Sequence, residues 1–191
     1  MLNIAIFASG KGSNADNLAQ YFNLNHHSIA KVNLILSDRK LAGVFEVAAS
    51  YSIDAVYLSP QRLQNPSSIL KILQEHKIHF IVLAGYLKLM SIEIIEAFPK
   101  RMINLHPALL PKFGGKGMYG MKVHQAVVDS GEKETGITIH YVNEHYDKGD
   151  IIFQATTRVD KEDSPKQIAE KIHVLEQIHL PKVTEYLLTK L

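Results

Sequence analysis

Short apolar runs and helical stripes alternate through the first hundred residues. Residues 2–8 are an apolar run of β-forming type, Ser9-Gly10-Lys11-Gly12-Ser13-Asn14 is turn-forming, and Leu18, Tyr21 and Phe22 then recur at helical spacing. That pattern predicts strand, glycine turn, helix. The rhythm repeats: a strand over 32–36, a helical face of Val44, Val47, Ala48 and Tyr51, and a third strand over 55–58. Asn65-Pro66 has the cap-then-proline form of a helix start, with Ile69, Leu70 and Leu73 as its inward face. Residues 79–84 are apolar almost without interruption, as a strand covered on both faces should be. A short helix is expected after Ser91 and a fifth strand over 102–105. Strands and helices in alternation predict an α/β, Rossmann-like, mostly parallel sheet with helices on both faces.

The second half changes character. Residues 136–142 and 150–156 have strand composition and flank the polar loop from Asn143 to Gly149, so they predict an antiparallel pair at the sheet edge. Ser164-Pro165 opens a last helix with Ile168, Ile172 and Leu175 facing inward, and Pro181 is expected to interrupt or kink it. Internal repeats and low-complexity linkers are absent, which favours a single domain over 1–191.

Composition narrows the function classes. Hydrophobic residues make up 46% and charged residues 21%, ordinary values for a soluble globular chain. A net charge of +2 without a Lys/Arg run argues against a nucleic-acid partner and suits a small anionic substrate. The chain has no cysteine, which excludes disulfides, thiolate metal sites and cysteine nucleophiles. Met1-Leu2-Asn3-Ile4 does not read as a signal peptide, and no apolar run reaches the roughly 18 residues of a membrane span. A cytoplasmic protein without a membrane partner is expected.

Three constellations carry candidate chemistry. Gly10-x-Gly12-x-x-Ala15 fits a relaxed dinucleotide fingerprint between a strand and a helix. Its physics is anion binding by free N–H groups at a helix N-terminus. Asp38, near the end of the second strand, would suit a nicotinamide enzyme; Ser13 and Asn14 would suit a single phosphate. The pattern leaves both uses open, as it does a plain turn. Asn104-Leu105-His106-Pro107 falls where the fifth strand ends, with Asn104 and His106 on one side by strand alternation. An amide beside an imidazole can bind and protonate a developing oxyanion. Asp147-Lys148-Gly149-Asp150 reads as an acidic turn whose spacing does not match an EF-hand. Placed beside His106, the Asp147 carboxylate would favour the imidazolium and raise the histidine above its reference of about 6.5. Among the other histidines, which include His124, His145, His173 and His179, none forms a recognisable zinc spacing, and His140, on a predicted strand, is the one to watch.

Taken together, Ser9-Gly10-Lys11-Gly12-Ser13-Asn14, Asn104-Leu105-His106-Pro107-Ala108-Leu109-Leu110-Pro111, the Asp147 loop and Val82-Leu83-Ala84-Gly85-Tyr86 resemble the glycinamide ribonucleotide formyltransferase family, in register over nearly the whole chain. The resemblance implies formyl transfer in purine (IMP) biosynthesis, from 10-formyltetrahydrofolate as co-substrate to the amine of glycinamide ribonucleotide, without a metal. It implies a nucleotide-binding half over about 1–100 and a catalytic, folate-binding half over about 101–191, in a monomer or homodimer. By the same resemblance Asn104 and His106 stabilise the tetrahedral oxygen and Asp147 supports His106. Gly12, Ser13, Asn14 and Glu176 hold the ribonucleotide, so Glu176 should lie about a side-chain length from the glycine turn. Arg62, Leu87, Lys88, Leu89 and Met90 would meet the folate, with Asn104 and the loop residues Asn143, Glu144, His145, Tyr146 and Asp147. Methionyl-tRNA formyltransferases would need a further C-terminal domain, for which 191 residues leave little room, and formyltetrahydrofolate hydrolases an extra N-terminal one, whereas here the first strand is expected to begin at Leu2. Three departures stand out: Lys88 where arginine is common, Gln177 where histidine is frequent, and a long glycine-rich stretch over 113–121, expected to form a mobile flap near the substrate.

Overall fold

The computed structural model describes residues 1–25 and 29–191. Its elements run β1 (Leu2–Phe7), α1 (Ser13–Asn23), β2 (Ala30–Ser37), α2 (Val44–Ser50), β3 (Asp54–Tyr57), α3 (Pro60–Leu63), α4 (Pro66–Glu75), β4 (Phe80–Leu83), α5 (Ile92–Ala97), β5 (Met102–His106), α6 (Met121–Asp129), β6 (Glu134–Tyr141), β7 (Ile151–Arg158) and α7 (Pro165–Leu188). The strands form one seven-stranded sheet in the order β3-β2-β1-β4-β5-β6-β7. Neighbours from β3 to β5 are parallel. β6 runs antiparallel to β5, and β7 antiparallel to β6. The mostly parallel sheet and the antiparallel C-terminal pair are thus as the sequence pattern predicts.

Strand alternation builds two cores. Ile4, Ile6, Phe80 and Val82 face one side, packed with Leu18 and Phe22 of α1 and Ile168 and Ile172 of α7. Ala5, Phe7, Ile81 and Leu83 face the other, packed with Ile69 and Leu73 of α4 and Ile94 of α5. β4 is buried at all four positions, which is why it reads as an unbroken apolar run. The chain leaves β1 toward β2 on one side, while β4 lies on the other. The strand order therefore reverses between β1 and β4, the place where open α/β sheets form a crevice beyond the strand C-termini.

Two helices lie outside the predicted set. α3 has the cap-then-proline start, with the Ser59 side chain accepting from the Arg62 N–H and Pro60 opening the helix. α6 buries Val123, His124 and Val127 at helical spacing, directly after the glycine-rich stretch.

Pro181 does not interrupt α7, which runs on over 24 residues from a Ser164–Gln167 capping box. The physical reason lies one turn earlier. A proline at 181 has no N–H to offer the Gln177 carbonyl, and that carbonyl instead accepts a 2.9 Å hydrogen bond from the Asn17 side chain of α1. Asn17→Ala should therefore cost about 1 kcal/mol of folding stability, the usual net worth of such a bond. In a Pro181→Ala background the cost should shrink, because residue 181 then supplies the N–H. A double-mutant cycle by urea denaturation measures this coupling, and simple additivity would dismiss the compensation.

Candidate active site

β1 delivers the glycine turn to the crevice. Gly12 sits at φ 87 as the N-cap of α1, and a Cβ there would lie 2.9 Å from the Val44 Cα, so both the left-handed backbone and the close approach of α2 call for glycine. No side chain caps the first turn of α1, which leaves its leading N–H groups facing outward as an anion-binding end. Asp38 follows β2, but its carboxylate accepts a 2.5 Å hydrogen bond from the Ser9 hydroxyl. The same hydroxyl accepts from the Leu87 N–H at 3.0 Å, tying the turn to the segment after β4.

α7 crosses behind this turn. Asn14 Nδ2 donates to Glu176 Oε2 at 3.0 Å, and Gln177 Nε2 donates to Asn14 Oδ1 at 3.1 Å. Glu176 thus lies one side chain from the glycine turn, and Gln177, the departure noted above, holds the other half of the Asn14 amide. Burial pushes the Glu176 carboxyl above its ordinary value, partly offset by Asn14 and His173.

β5 brings Asn104 and His106 to the crevice, and the β6–β7 connection brings Asp147 onto them. That connection closes tightly: a Cβ on Gly149 would fall 1.7 Å from the Tyr141 carbonyl oxygen, so only glycine fits. Asp147 adopts a left-handed φ of 55. Its Oδ1 accepts from Asn104 Nδ2 at 3.3 Å and lies 3.5 Å from His106 Nδ1 and 3.6 Å from His140 Nε2. Its Oδ2 accepts from the Gly115 N–H at 2.8 Å. His140 Nδ1 faces the Tyr141 carbonyl at 2.8 Å, which assigns the proton to Nδ1 and leaves Nε2 to accept from Asn104 Nδ2 at 3.1 Å. His106 Nε2 faces the Phe113 carbonyl at 2.9 Å and so carries the donating hydrogen, which turns Nδ1 toward Asp147.

The electrostatics correct one expectation. Burial lowers His106 below its ordinary value, and the attraction of Asp147 and the bond to the Phe113 carbonyl recover only part of that loss. The imidazole is therefore neutral near pH 7, with the Nδ1 lone pair beside the carboxylate, rather than an imidazolium held up by Asp147. Burial also opposes ionisation of Asp147, but the adjacent His140 side chain, the influence of His106 and the Gly115 N–H outweigh it, and the carboxyl sits below its ordinary value.

These groups share one cavity of about 510 Å³, with Asn14 and Glu176 at one end and Asn104, His106 and Asp147 at the other. That volume is within the range of ligand pockets, about 300–1,000 Å³. Gly115 to Gly120 form one wall, so the glycine-rich stretch does lie over the cavity. Tyr86 is a wall common to this cavity and two neighbours. A second cavity, between Lys88, Leu89, Met90 and the loop residues Asn143, His145, Tyr146 and Asp147, holds only about 50 Å³. A third, of about 420 Å³, lies between α3, α4 and residues 88–91. Leu87 faces the first cavity. Arg62 lines none of the three; it is exposed and donates to the Tyr57 carbonyl at 3.4 Å. Glu144 also lies outside them, 3.8 Å from His145 at the surface. Gly12 and Ser13 form the turn itself, with Asn14 as its cavity-lining member. Among the described residues, no group of three or more His, Cys, Asp or Glu side chains is arranged to hold a metal ion.

The sequence reading missed four participants: the Ser9 hydroxyl, the Gly115 N–H, the Phe113 carbonyl and His124. The three that act through backbone or a small hydroxyl leave no signal in residue type, whereas Val123-His124 at the head of an apolar helical stripe did.

Comparisons with known proteins agree with this geometry. The formyl transferase family model matches residues 2–184. A phosphoribosylglycinamide formyltransferase of Bacillus subtilis is 33% identical over 192 residues, covering 98% of this chain and 95% of the relative. A chloroplastic phosphoribosylglycinamide formyltransferase of Arabidopsis thaliana is 41% identical over 175 residues, 88% of this chain, and the chain spans only 59% of that relative's length. The crystal structure of glycinamide ribonucleotide transformylase 1 from Geobacillus kaustophilus superposes with a TM-score of 0.89 at 33% identity, over 98% of this chain and 99% of that one. The glycine turn, the Asn104–His106 strand end and the Asp147 loop thus occur within a match that is nearly full length in both sequence and shape, and the chain belongs to the formyl transferase family, alongside its phosphoribosylglycinamide formyltransferases.

Proposed function

We propose that this protein transfers the formyl group of 10-formyltetrahydrofolate to the amine of glycinamide ribonucleotide, giving formylglycinamide ribonucleotide and tetrahydrofolate for purine biosynthesis. The observation that carries this reading is the shared cavity: an anion-binding helix end beside Asn14 and Glu176 at one extreme, and the Asn104–His106–Asp147 cluster at the other. The phosphate takes the free N–H groups of Gly12, Ser13 and Asn14, which puts the amine end of the ribonucleotide toward His106. Formyl-folate enters beside Leu87, Lys88, Leu89 and Met90, with its reacting end at Asn104. The small volume between residues 88–90 and 143–147 makes movement of the Asp147 loop part of folate entry, since it has room for few waters and no pterin.

Chemistry follows from the protonation states. The amine nitrogen forms a bond to the formyl carbon, and the carbonyl oxygen becomes an oxyanion. Asn104 Nδ2 gives up its longer bond, to Asp147 Oδ1, and donates that hydrogen to the oxygen while keeping its bond to His140. Neutral His106 accepts the proton released by the nitrogen; the resulting imidazolium is stabilised by Asp147 and adds its charge near the oxyanion. Collapse breaks the bond from the formyl carbon to N10, which takes the proton from His106.

Tetrahydrofolate release, followed with and without glycinamide ribonucleotide, tests the activity: release should require both substrates, and hydrolysis at the same rate without the ribonucleotide would reject the transferase reading. His106→Ala should lower kcat by about 10² to 10⁴ and Asn104→Ala by about 10² to 10³, with ribonucleotide affinity within about threefold, read by steady-state kinetics beside calorimetric binding. Near-native turnover in either variant removes that residue from the chemistry.

Asp147 provides a separate check. Its carboxylate raises His106 against the stronger effect of burial, so Asp147→Asn should lower the His106 pKa further and move its protonation to more acidic pH. The same change should cut kcat sharply, because the imidazolium loses its counter-charge, while Asp150→Asn should be mild. NMR titration of His106 in both variants decides this; an unmoved titration with full activity would leave Asp147 as a turn residue.

A further inference from the structure

His124 is a buried polar side chain in the cavity that the mechanism above leaves unused. It is the fourth residue of α6, only 6% exposed, between the buried Val123 and Val127 positions. α6 packs on α7, the helix that carries Glu176, and the His124 ring forms part of the cavity wall. Its Nδ1 is sealed from solvent and has no hydrogen-bond partner among the described residues. Nε2 has no protein partner there either, yet it is not among the sealed atoms, so this is the ring atom open to the cavity.

The two nitrogens then have unequal costs. A sealed N–H without an acceptor loses more than a sealed lone pair, because the donor forfeits a full hydrogen bond. The proton therefore belongs on Nε2, where it can reach a ligand. Burial and the neighbouring His106 both hold His124 below its ordinary value, so the ring carries one proton and no charge near neutral pH. A donor of this kind in an enclosed wall suits an uncharged oxygen. The phosphate has its own place at the glycine turn, and the reacting amine has His106. What lies between them in the ribonucleotide is the ribose and the glycinamide amide, both rich in uncharged oxygens.

We propose that His124 is a substrate-contacting residue whose Nε2–H donates a hydrogen bond to an uncharged oxygen of the ribose–amide segment of the ribonucleotide. This rests on the proposed activity, and it adds a specificity contact: a ligand with a methylene in place of that oxygen would leave the buried imidazole unpaired at both nitrogens.

The test uses three substitutions that differ in reach. Glutamine can place an amide N–H near the position of Nε2; asparagine and alanine cannot. His124→Gln should keep the KM for glycinamide ribonucleotide within about twofold, while His124→Asn and His124→Ala should raise it about three- to tenfold, the range of one net hydrogen bond. The KM for formyl-folate should not move in any of them, and kcat should stay within about threefold. In the unaltered protein, ¹⁵N NMR of His124 should report the Nε2–H tautomer at pH 7 and a shift of that signal on adding the ribonucleotide. Wild-type KM values in all three variants, parallel rises for both substrates, equal losses in the glutamine and asparagine forms, or a His124 signal that ignores the bound ribonucleotide would each overturn the proposal. Turnover by the unaltered protein is measured first; if it fails with glycinamide ribonucleotide, the activity itself is wrong, which is distinct from an active enzyme indifferent to His124.

Discussion

An ionised carboxylate held away from bulk water is the constraint around which this site is organised. Taking a charge out of water costs several kcal/mol unless hydrogen bonds and opposite partial charges replace the lost hydration. Asp147 meets that demand from three segments: Asn104 and His106 on β5, His140 on β6, and the Gly115 N–H of the glycine-rich stretch, with Asn104 and Gly115 as its hydrogen-bond donors. Each partner is drawn inward by the same charge, so the β5 end, the glycine-rich wall and the β6–β7 loop are positioned together. The two histidine contacts, at 3.5 and 3.6 Å, are looser than the Gly115 and Asn104 bonds. The neutral state of His106 leaves the carboxylate without a counter-charge from that ring.

Sequence and structure agree wherever one residue type has one physical use. β4 is legible because a strand buried on both faces has no polar position to hide. α4 is legible because Asn65-Pro66 marks its start, and α7 because Ser164 and Gln167 close a capping box. The fate of Pro181 was not legible: whether a lost helical N–H breaks a helix depends on a donor from elsewhere, here Asn17, and sequence does not show what lies alongside. α6 had the signal, with Val123 and Val127 four apart, but the sequence reading places no helix between the glycine-rich stretch and the strand over 136–142.

The candidate site divides in the same way. Asn104 and His106 share a strand, so alternation alone puts them on one side. Asp147 and Glu176 reach them only through the fold, and their placement came from resemblance to a family, not from spacing. The direction of the His106 shift was the step that sequence reasoning took wrongly. A nearby carboxylate can be anticipated, but the competing loss of hydration depends on how completely the Phe113 carbonyl and the surrounding walls close over the ring.

The junction of α1 with α7 has a consequence for how the protein is made. Asn14 and Asn17 lie about 160 positions before their partners Glu176 and Gln177, so α1 is made well before the helix that it docks against. Until α7 has emerged, the glycine turn has no opposing wall. Until α1 has docked, the carbonyl orphaned by Pro181 has only water to bind. The cavity end formed by Asn14 and Glu176 is thereby completed only when α7 docks, and a chain that has already built the parallel sheet and the Asn104–His106 strand would still lack that wall.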